Sequence, residues 1–482
     1  MLSFVQLEPG AWSLSSLAQA RVRRAKLEEQ RGLPRGRAYL QERAKRAAID
    51  PDGMTTTATS KPSRRTAMIL SGGGARGAYE VGVLWYIFDD LSRMRGGPPK
   101  IDILSGTSVG AINACYLAAH LTDPVLGMRR LVHLWSELQI TRVLGFGPRQ
   151  FIGIPRVLLG GGGEGTGLFD VRPMAELVQR EISWRALARA LRRRQLRALT
   201  VSATEVATGR TVVFMQTAPD VDIPRTSPPR TLFRADHIGP HHALASAAIP
   251  LLFPPVRIDD ELYLDGGLRQ NTPIAPALRL GATHVFAIGS SREYKGVRAH
   301  EQGQDVKMPG AAFLLGKVLN AFLLDHIDTD LELLNRLNNV IRDGTNHYGP
   351  GFIEAMSKEA QKRNAPPYRY VEAFTLRPTE DMGKLASEHV RRGKFIGNPF
   401  LTKRLLSALD TGVGDEADLA SYLLFDGHFC RQLIEMGRAD AHAHRDEILA
   451  FFENADDDGG STLDAEDSGV WDKPSLTLPI GT

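Results

Sequence analysis

Two cysteines, Cys115 and Cys430, are all that 482 residues contain, too few for a disulfide framework or a cysteine-rich zinc site. A reducing compartment is therefore expected. Long apolar runs are also missing: the longest, such as Val83–Phe88, fall far short of the roughly 18 to 20 residues that a membrane-spanning helix needs. The N-terminal stretch has no basic cluster at its start, carries Glu8 and Pro9, and lacks the continuous apolar core of a secretory signal. Export by that route is not expected, and a cytoplasmic setting, with or without peripheral membrane association, is the default. Neither sign of charge dominates, since 59 basic and 55 acidic side chains leave a balance of +4. With 43% apolar and 24% charged residues, the composition excludes the disordered and collagen-like classes and fits a soluble chain of two or three lobes. No solenoid-type repeat is found.

What is present is unevenly distributed. Residues 21–46 hold ten basic side chains against three acids, and residues 50–65 are rich in Pro, Ser and Thr. Residues 1–65 thus read as a basic arm and linker, solvated on the simpler reading, drawn to anionic lipid or nucleic acid on the other. Residues 456–482 read as an acidic tail. That tail opens like a calcium loop, with Asn454, Asp456, Asp458 and Gly459 in suitable places, but Ala465 stands where a bidentate Glu is required. Calcium is not expected.

Between the tails, Thr66–Leu70 reads as a short buried strand and Ala78–Leu91 as a helix with Val81, Leu84, Trp85 and Phe88 along one stripe. Ile101–Leu104 reads as a second strand entering a small-residue helix at Val109–Ala119, and further strands are expected at Leu199–Ala203, Thr211–Met215, Leu262–Leu264 and His284–Ile288. Alternation of strand and helix over residues 66–290 argues for an α/β sheet with helices on both faces, and residues 291–455 read as a mostly helical extension.

Gly72-Gly73-Gly74-Ala75-Arg76-Gly77 sits between the first strand and the first helix and matches the dinucleotide fingerprint G-x-G-x-x-G. A ribose-binding acid should then close the second strand. That strand ends Leu104-Ser105-Gly106, and Asp102 lies inside it, so the ribose clamp is missing. The same loop has a second use, because glycine amides at the positive end of a helix stabilise an anion and can form an oxyanion hole.

The second strand runs directly into Gly106-Thr107-Ser108-Val109-Gly110, a G-x-S-x-G between strand and helix. A tight turn there exposes the serine hydroxyl while the flanking glycines relieve crowding, which makes Ser108 a candidate nucleophile. Its activation needs a base. Asp265, which follows Leu262-Tyr263-Leu264 and precedes Gly266-Gly267, is the leading carboxylate. His300, in a polar loop downstream, is the alternative that would complete a Ser-Asp-His order. Asp426-Gly427 reads as structural, His284 as packed within its strand, and the doublet His241-His242 has no neighbouring metal ligands in the sequence.

Taken in order, the glycine loop, Gly106-Thr107-Ser108-Val109-Gly110, Ala245-Ser246-Ala247-Ala248-Ile249-Pro250 and Asp265-Gly266-Gly267 resemble the patatin-like phospholipase family. Weaker echoes are Gly167-Leu168-Phe169-Asp170, Ala203-Thr204-Glu205 with Thr208-Gly209, and Asn271 with Pro273; Gln270 stands where many members have Asn. The resemblance implies a three-layer α/β/α sandwich over residues 66–290 and a Ser-Asp dyad without histidine, Ser108 the nucleophile and Asp265 the base. It implies an oxyanion hole supplied by Gly72, Gly73, Gly74, Arg76 and Gly77, with Arg76 fixing the loop, and a nucleophile elbow flanked by Gly106 and Gly110. It implies no metal and no cofactor, and acyl transfer from phospholipid or lysophospholipid esters. A general esterase, a neutral-lipid lipase, a nucleotide-binding protein and a membrane-binding scaffold are the competing readings. The expected partner is a phospholipid or membrane surface, and nucleic acid is not expected.

Two surface segments bear on substrate. Residues 141–167 mix Phe146, Phe151, Ile152 and Leu158 with Arg142, Arg149, Arg156 and a run of glycines, the makings of a lid or of ordinary packing. Residues 184–197 carry six arginines with Leu187 and Leu191 one turn apart, a basic amphipathic helix suited to an anionic membrane or to a solvated face docked on the core.

Overall fold

Four of the nine strands in the central sheet are buried at every residue, which explains why they read as near-continuous apolar or small-residue runs rather than alternating ones. The computed structural model describes residues 64–145, 169–224, 226–292, 327–363, 365–396 and 418–456. All of these lie in one unit that runs from Pro62 to Thr482. The basic arm, most of the 141–167 segment, His300, the acidic tail and the side chains of the calcium-like loop fall outside them.

The strands are β1 (Thr66–Leu70), β2 (Ile103–Thr107), β3 (Ala198–Glu205), β4 (Thr211–Thr217), β5 (Thr231–Ala235), β6 (Val256–Ile258), β7 (Glu261–Asp265), β8 (His284–Ile288) and β9 (Glu372–Leu376). They follow the order β5-β4-β3-β2-β1-β8-β9, with β7 paired to β3 and β6 paired to β7. β3, β2, β1, β8 and β9 are parallel, whereas β4 and β7 run antiparallel to β3. Along β1 the side chains alternate between two cores: Met68 and Leu70 face one, Ala67 and Ile69 the other.

The larger core receives α1 (Gly77–Trp85), α2 (Val109–Ala119), α3 (Pro124–Ser136), α4 (Arg172–Glu181) and α5 (Trp184–Arg192). On the opposite face lie α7 (Ile274–Arg279), which follows α6 (Pro240–Ser246), and α8 (Ile327–Tyr348). This is a three-layer α/β/α arrangement around a mixed sheet, in line with the expected class. α9 (Gly351–Lys362), α10 (Met382–Arg392), α11 (Asp418–Leu423), α12 (Gly427–Ala443) and α13 (Arg445–Asp456) complete the helices used below.

Residues 291–455 were expected to be mostly helical, and the structure adds two findings. Glu372–Leu376 is a strand that extends the sheet beside β8. α12 lies directly on α1, where Gly82 and Gly437 allow near backbone contact: a Cβ on Gly82 would sit 2.0 Å from the carbonyl oxygen of Ile434, and one on Gly437 would sit 2.2 Å from that of Tyr79. Arg438 then reaches Asp90 through two hydrogen bonds, of 2.7 and 2.9 Å. The first helix also departs from expectation, because its α-geometry ends at Trp85 and a π-helical turn spans Tyr86–Leu91. A π turn keeps apolar spacing close to that of an α-helix, so periodicity does not reveal it.

Gly82→Ala tests the α1–α12 contact. In a free helix this change stabilises by about 1 kcal/mol, but here the new methyl meets backbone that cannot rotate away, so overpacking costs about 1–3 kcal/mol and wins. Urea unfolding is expected to show a net loss for Gly82→Ala and none for Gly97→Ala, whose Cβ would meet nothing within 4 Å.

Candidate active site

Sheet register delivers the candidate nucleophile and base to one place. β1 and β2 are parallel with Leu70 opposite Gly106, so the glycine loop and the serine turn leave the same edge of the sheet. β2 pairs Thr107 with Ser202 of β3, and the antiparallel β7 places Asp265 opposite Ala203, the next residue of β3. Ser108 follows Thr107 directly. Residues 157 apart in sequence thereby meet, and the Ser108 hydroxyl donates to Asp265 Oδ2 at 2.7 Å.

Ser108 occupies φ 54°, ψ −128°, a conformation that L side chains seldom adopt, between β2 and the first turn of α2. Three contacts hold it. Its carbonyl accepts from Ala111 N at 3.0 Å, its own N–H donates to Ser246 Oγ at 2.8 Å, and Ser246 Oγ donates in turn to Ser202 O at 2.6 Å. Gly110 lets α2 start against β1, since a Cβ there would lie 2.4 Å from the Leu70 carbonyl oxygen.

Asp265 is fully buried. Oδ1 accepts the Gly267 N–H at 2.7 Å, and the backbone is pinned by Asp265 N–H to Ala248 O (2.9 Å) and by Thr204 Oγ1 to Asp265 O (2.9 Å). Burial outweighs the two hydrogen bonds that favour the ionised form, and the carboxyl is pushed up to about 7. A carboxylate with that affinity for protons is matched to general-base work near neutral pH.

The glycine loop lies beside the pair. A Cβ on Gly72 would come within 3.1 Å of Ser108 Cβ. Not all five residues expected to form the oxyanion hole have amides to give. Gly72 N–H donates to Asn271 O at 3.1 Å, Arg76 N–H to Gly73 O at 3.0 Å, and Gly77 N–H to carbonyls of its own loop. The N–H groups of Gly73 and Gly74, and that of Val109 at the start of α2, meet no acceptor among the described residues. The Arg76 side chain turns instead toward Ser421 and Tyr422.

A cavity of about 100 Å³ opens at Ser108, walled by apolar side chains that include Val109, Ile112, Leu131, Trp135, Met174 and Ile249. His242 is buried, its Nδ1 accepts the Gly239 N–H at 3.0 Å at the start of α6, and its ring packs on Phe214. His284 is buried in β8 against Phe451. Asp426 caps α12 through the His428 and Phe429 N–H groups. Cys115 and Cys430 are buried free thiols. Sequence reasoning assigned no role to Ser246 or Thr204, although both sit in the blocks that carried the resemblance.

This geometry can be set beside known proteins. Residues 68–278 match the family model of patatin-like phospholipases. The resemblance read from the motifs is thereby borne out for that segment. A cGAMP-activated phospholipase of Pseudomonas aeruginosa (strain BWHPSA011 / Pa011) is 32% identical over 210 residues, which make up 43% of this chain and 53% of that protein. The match therefore spans about half the length of that relative. Among solved structures, human GIVD cytosolic phospholipase A2 aligns at 10% identity over 83% of this chain and 64% of that one, with a TM-score of 0.37. VipD of Legionella pneumophila aligns at 13% identity over 69% and 67%, with a TM-score of 0.27.

A raised carboxyl affinity has a consequence for stability. Folding favours the protonated Asp265, so the unfolded chain loses its proton near 3.8 while the folded chain holds it until about 7. The contribution of this one group to stability is therefore fully present below about 3.8 and is lost as pH rises to about 7, by an amount on the order of 4 kcal/mol for a displacement of this size. Asp265→Asn, which can still accept from Gly267 and bond Ser108, is expected to raise Tm relative to the wild type at pH 8 and to lose that advantage near pH 4.

Proposed function

We propose that the chain is a serine acyl hydrolase that cleaves fatty-acyl esters of phospholipids or lysophospholipids. The observation that carries this reading is the Ser108–Asp265 hydrogen bond at the mouth of an apolar cavity. The match to patatin-like phospholipases supports lipid as the substrate.

In the first step Asp265 takes the hydroxyl proton as Ser108 Oγ attacks the ester carbonyl, and the Gly73 and Gly74 amides receive the oxyanion. One such donor is worth about 3 to 4 kcal/mol of barrier. Collapse of the tetrahedral adduct expels the alcohol half, which takes the proton back from Asp265, and leaves the acyl group on Ser108. Water then attacks the acyl carbon with Asp265 again as base, the bond to Ser108 Oγ breaks as Oγ takes that proton back from Asp265, and the free fatty acid departs. The apolar walls hold the acyl chain while the head group stays outside. Both dyad members come from the protein's own side chains.

Approach to a lipid surface has support in α5. Its apolar stripe, Leu187, Ala190 and Leu191, is spent on the core, so the helix has no apolar face left to insert. Arg185, Arg189, Arg192 and Arg193 are exposed and form no ion pair among the described residues. Each contributes about 1 kcal/mol of attraction to an anionic leaflet. α5 follows α4, which supplies Met174, Leu177 and Val178 to the cavity wall.

The test combines fluorophosphonate labelling with fatty-acid release from anionic and zwitterionic vesicles, triacylglycerol emulsion and monomeric esters. Wild type is expected to label and to act fastest on phospholipid vesicles containing anionic lipid; Ser108→Ala abolishes both signals, Asp265→Asn lowers turnover by at least about 10²-fold, and His300→Ala changes neither. Because ionised Asp265 is the active form, kcat/KM rises with pH to a plateau with a midpoint near 7. Release that survives Ser108→Ala refutes the reading, and a clear preference for triacylglycerol or monomeric esters assigns the same dyad to a lipase or esterase.

A further inference from the structure

We propose that the segment Ser421–Phe425, outside the family match, completes the acyl-transfer site: Ser421 and Tyr422 position the oxyanion loop and Phe425 selects the acyl chain. This rests on the acyl-hydrolase reading above and adds to it a specificity residue and two positioning residues.

The oxyanion loop is held by a segment that lies 346 residues further along the chain. Arg76 is only 6% exposed, and its guanidinium donates from Nε to Ser421 Oγ at 2.8 Å and from Nη1 to the Tyr422 hydroxyl at 3.2 Å. The same group lies over the Tyr422 ring, 4.0 Å from its centroid, so the arginine is fixed by both hydrogen bonds and a cation–π contact. Gly74 meets Tyr422 from the other side. Its φ is +56°, and a Cβ would fall 2.2 Å from the Tyr422 carbonyl oxygen. The backbone that aims the Gly74 N–H is therefore packed against Tyr422 on one flank and tethered through Arg76 on the other. Since oxyanion donors act by being already in place when charge develops, loosening this clasp should slow the chemical step and leave substrate binding largely intact.

Three residues after Tyr422, Phe425 enters the cavity wall together with Ser108 and Trp135, its ring 6.3 Å from that of Trp135. Its position is tightly determined. Gly427 N–H donates to Leu138 O at 2.8 Å, and Gly427 packs so closely on α3 that a Cβ would lie 2.1 Å from the Ser136 carbonyl oxygen. Asp426 accepts the Ile396 N–H at 2.6 Å and faces His389 Nε2 at 3.1 Å while capping α12. A ring whose following two residues are anchored in this way, and which packs beside Trp135, sets the shape of the pocket instead of yielding to the ligand.

The experiment is an acyl series of p-nitrophenyl esters, butyrate to palmitate, with active sites counted by fluorophosphonate titration and folding checked by Tm. Phe425→Ala is expected to raise the palmitate-to-butyrate ratio of kcat/KM by about tenfold or more, and Phe425→Trp to lower it by a similar factor. Phe425→Leu, which keeps most of the buried volume, moves the ratio in the alanine direction by less. Tyr422→Ala is expected to lower kcat about tenfold with KM changed less than about twofold, and Tyr422→Phe, which keeps the ring under Arg76, to recover most of that loss. A wild-type ratio in folded Phe425→Leu and Phe425→Trp, or an unchanged kcat per titrated site in Tyr422→Ala, overturns the proposal. A wild type that releases nothing from any ester defeats the hydrolase reading instead.

Discussion

The hydrogen bond from Ser108 Oγ to Asp265 Oδ2, made between two buried side chains, is the constraint around which the rest of the molecule is arranged. In water an Asp is too weak a base to draw a proton from a serine. Burial changes that by penalising the carboxylate more than its two hydrogen bonds reward it. The same burial makes the site costly to fold, so stability must come from elsewhere, and the sheet with its two cores is the source. On the acyl-hydrolase reading proposed above, function and stability oppose each other at this one carboxyl group.

Position is achieved by register more than by local turns. Two parallel strands bring the glycine loop and the serine elbow to one edge, and an antiparallel strand returns on β3 to set Asp265 beside them. A slip of one residue in β7 would turn Asp265 to the opposite face. Thr204 and Ser246 act as stops against such errors, the first gripping the Asp265 carbonyl and the second linking the Ser108 amide to β3. The C-terminal helices are continuous with this scheme, because α12 packs on α1 with almost no side chain between and α11 leads into the clasp on Arg76.

Much of this was legible in the residues. Thr66–Leu70 and His284–Ile288 appear with the bounds expected of them, because a strand buried on both faces leaves an unbroken apolar run between turn signals. Ser108 and Asp265 were marked by glycines at strand ends. β5 and β9 were missed because each lies at an end of the strand order, is half-exposed, and carries a charge, Arg234 in one and Glu372 in the other, which weakens the apolar signal. β6 is only three residues long. The tie from Arg76 to Tyr422 leaves no local pattern at all, since neither residue's neighbours reveal a partner 346 positions away. Likewise, which loop amides remain available for an oxyanion follows from bonds to Asn271 and Gly73 that only the folded chain defines.

The most direct measurement is the titration of the Asp265 carboxyl itself, by isotope-edited infrared difference spectroscopy of the wild type against Asp265→Asn from pH 4 to 9. The expected result is a protonated-carboxyl band, absent from the variant, that disappears with a midpoint near 7. A carboxyl already ionised throughout that range would contradict the central claim, because Ser108 would then have beside it only an ordinary, weakly basic aspartate.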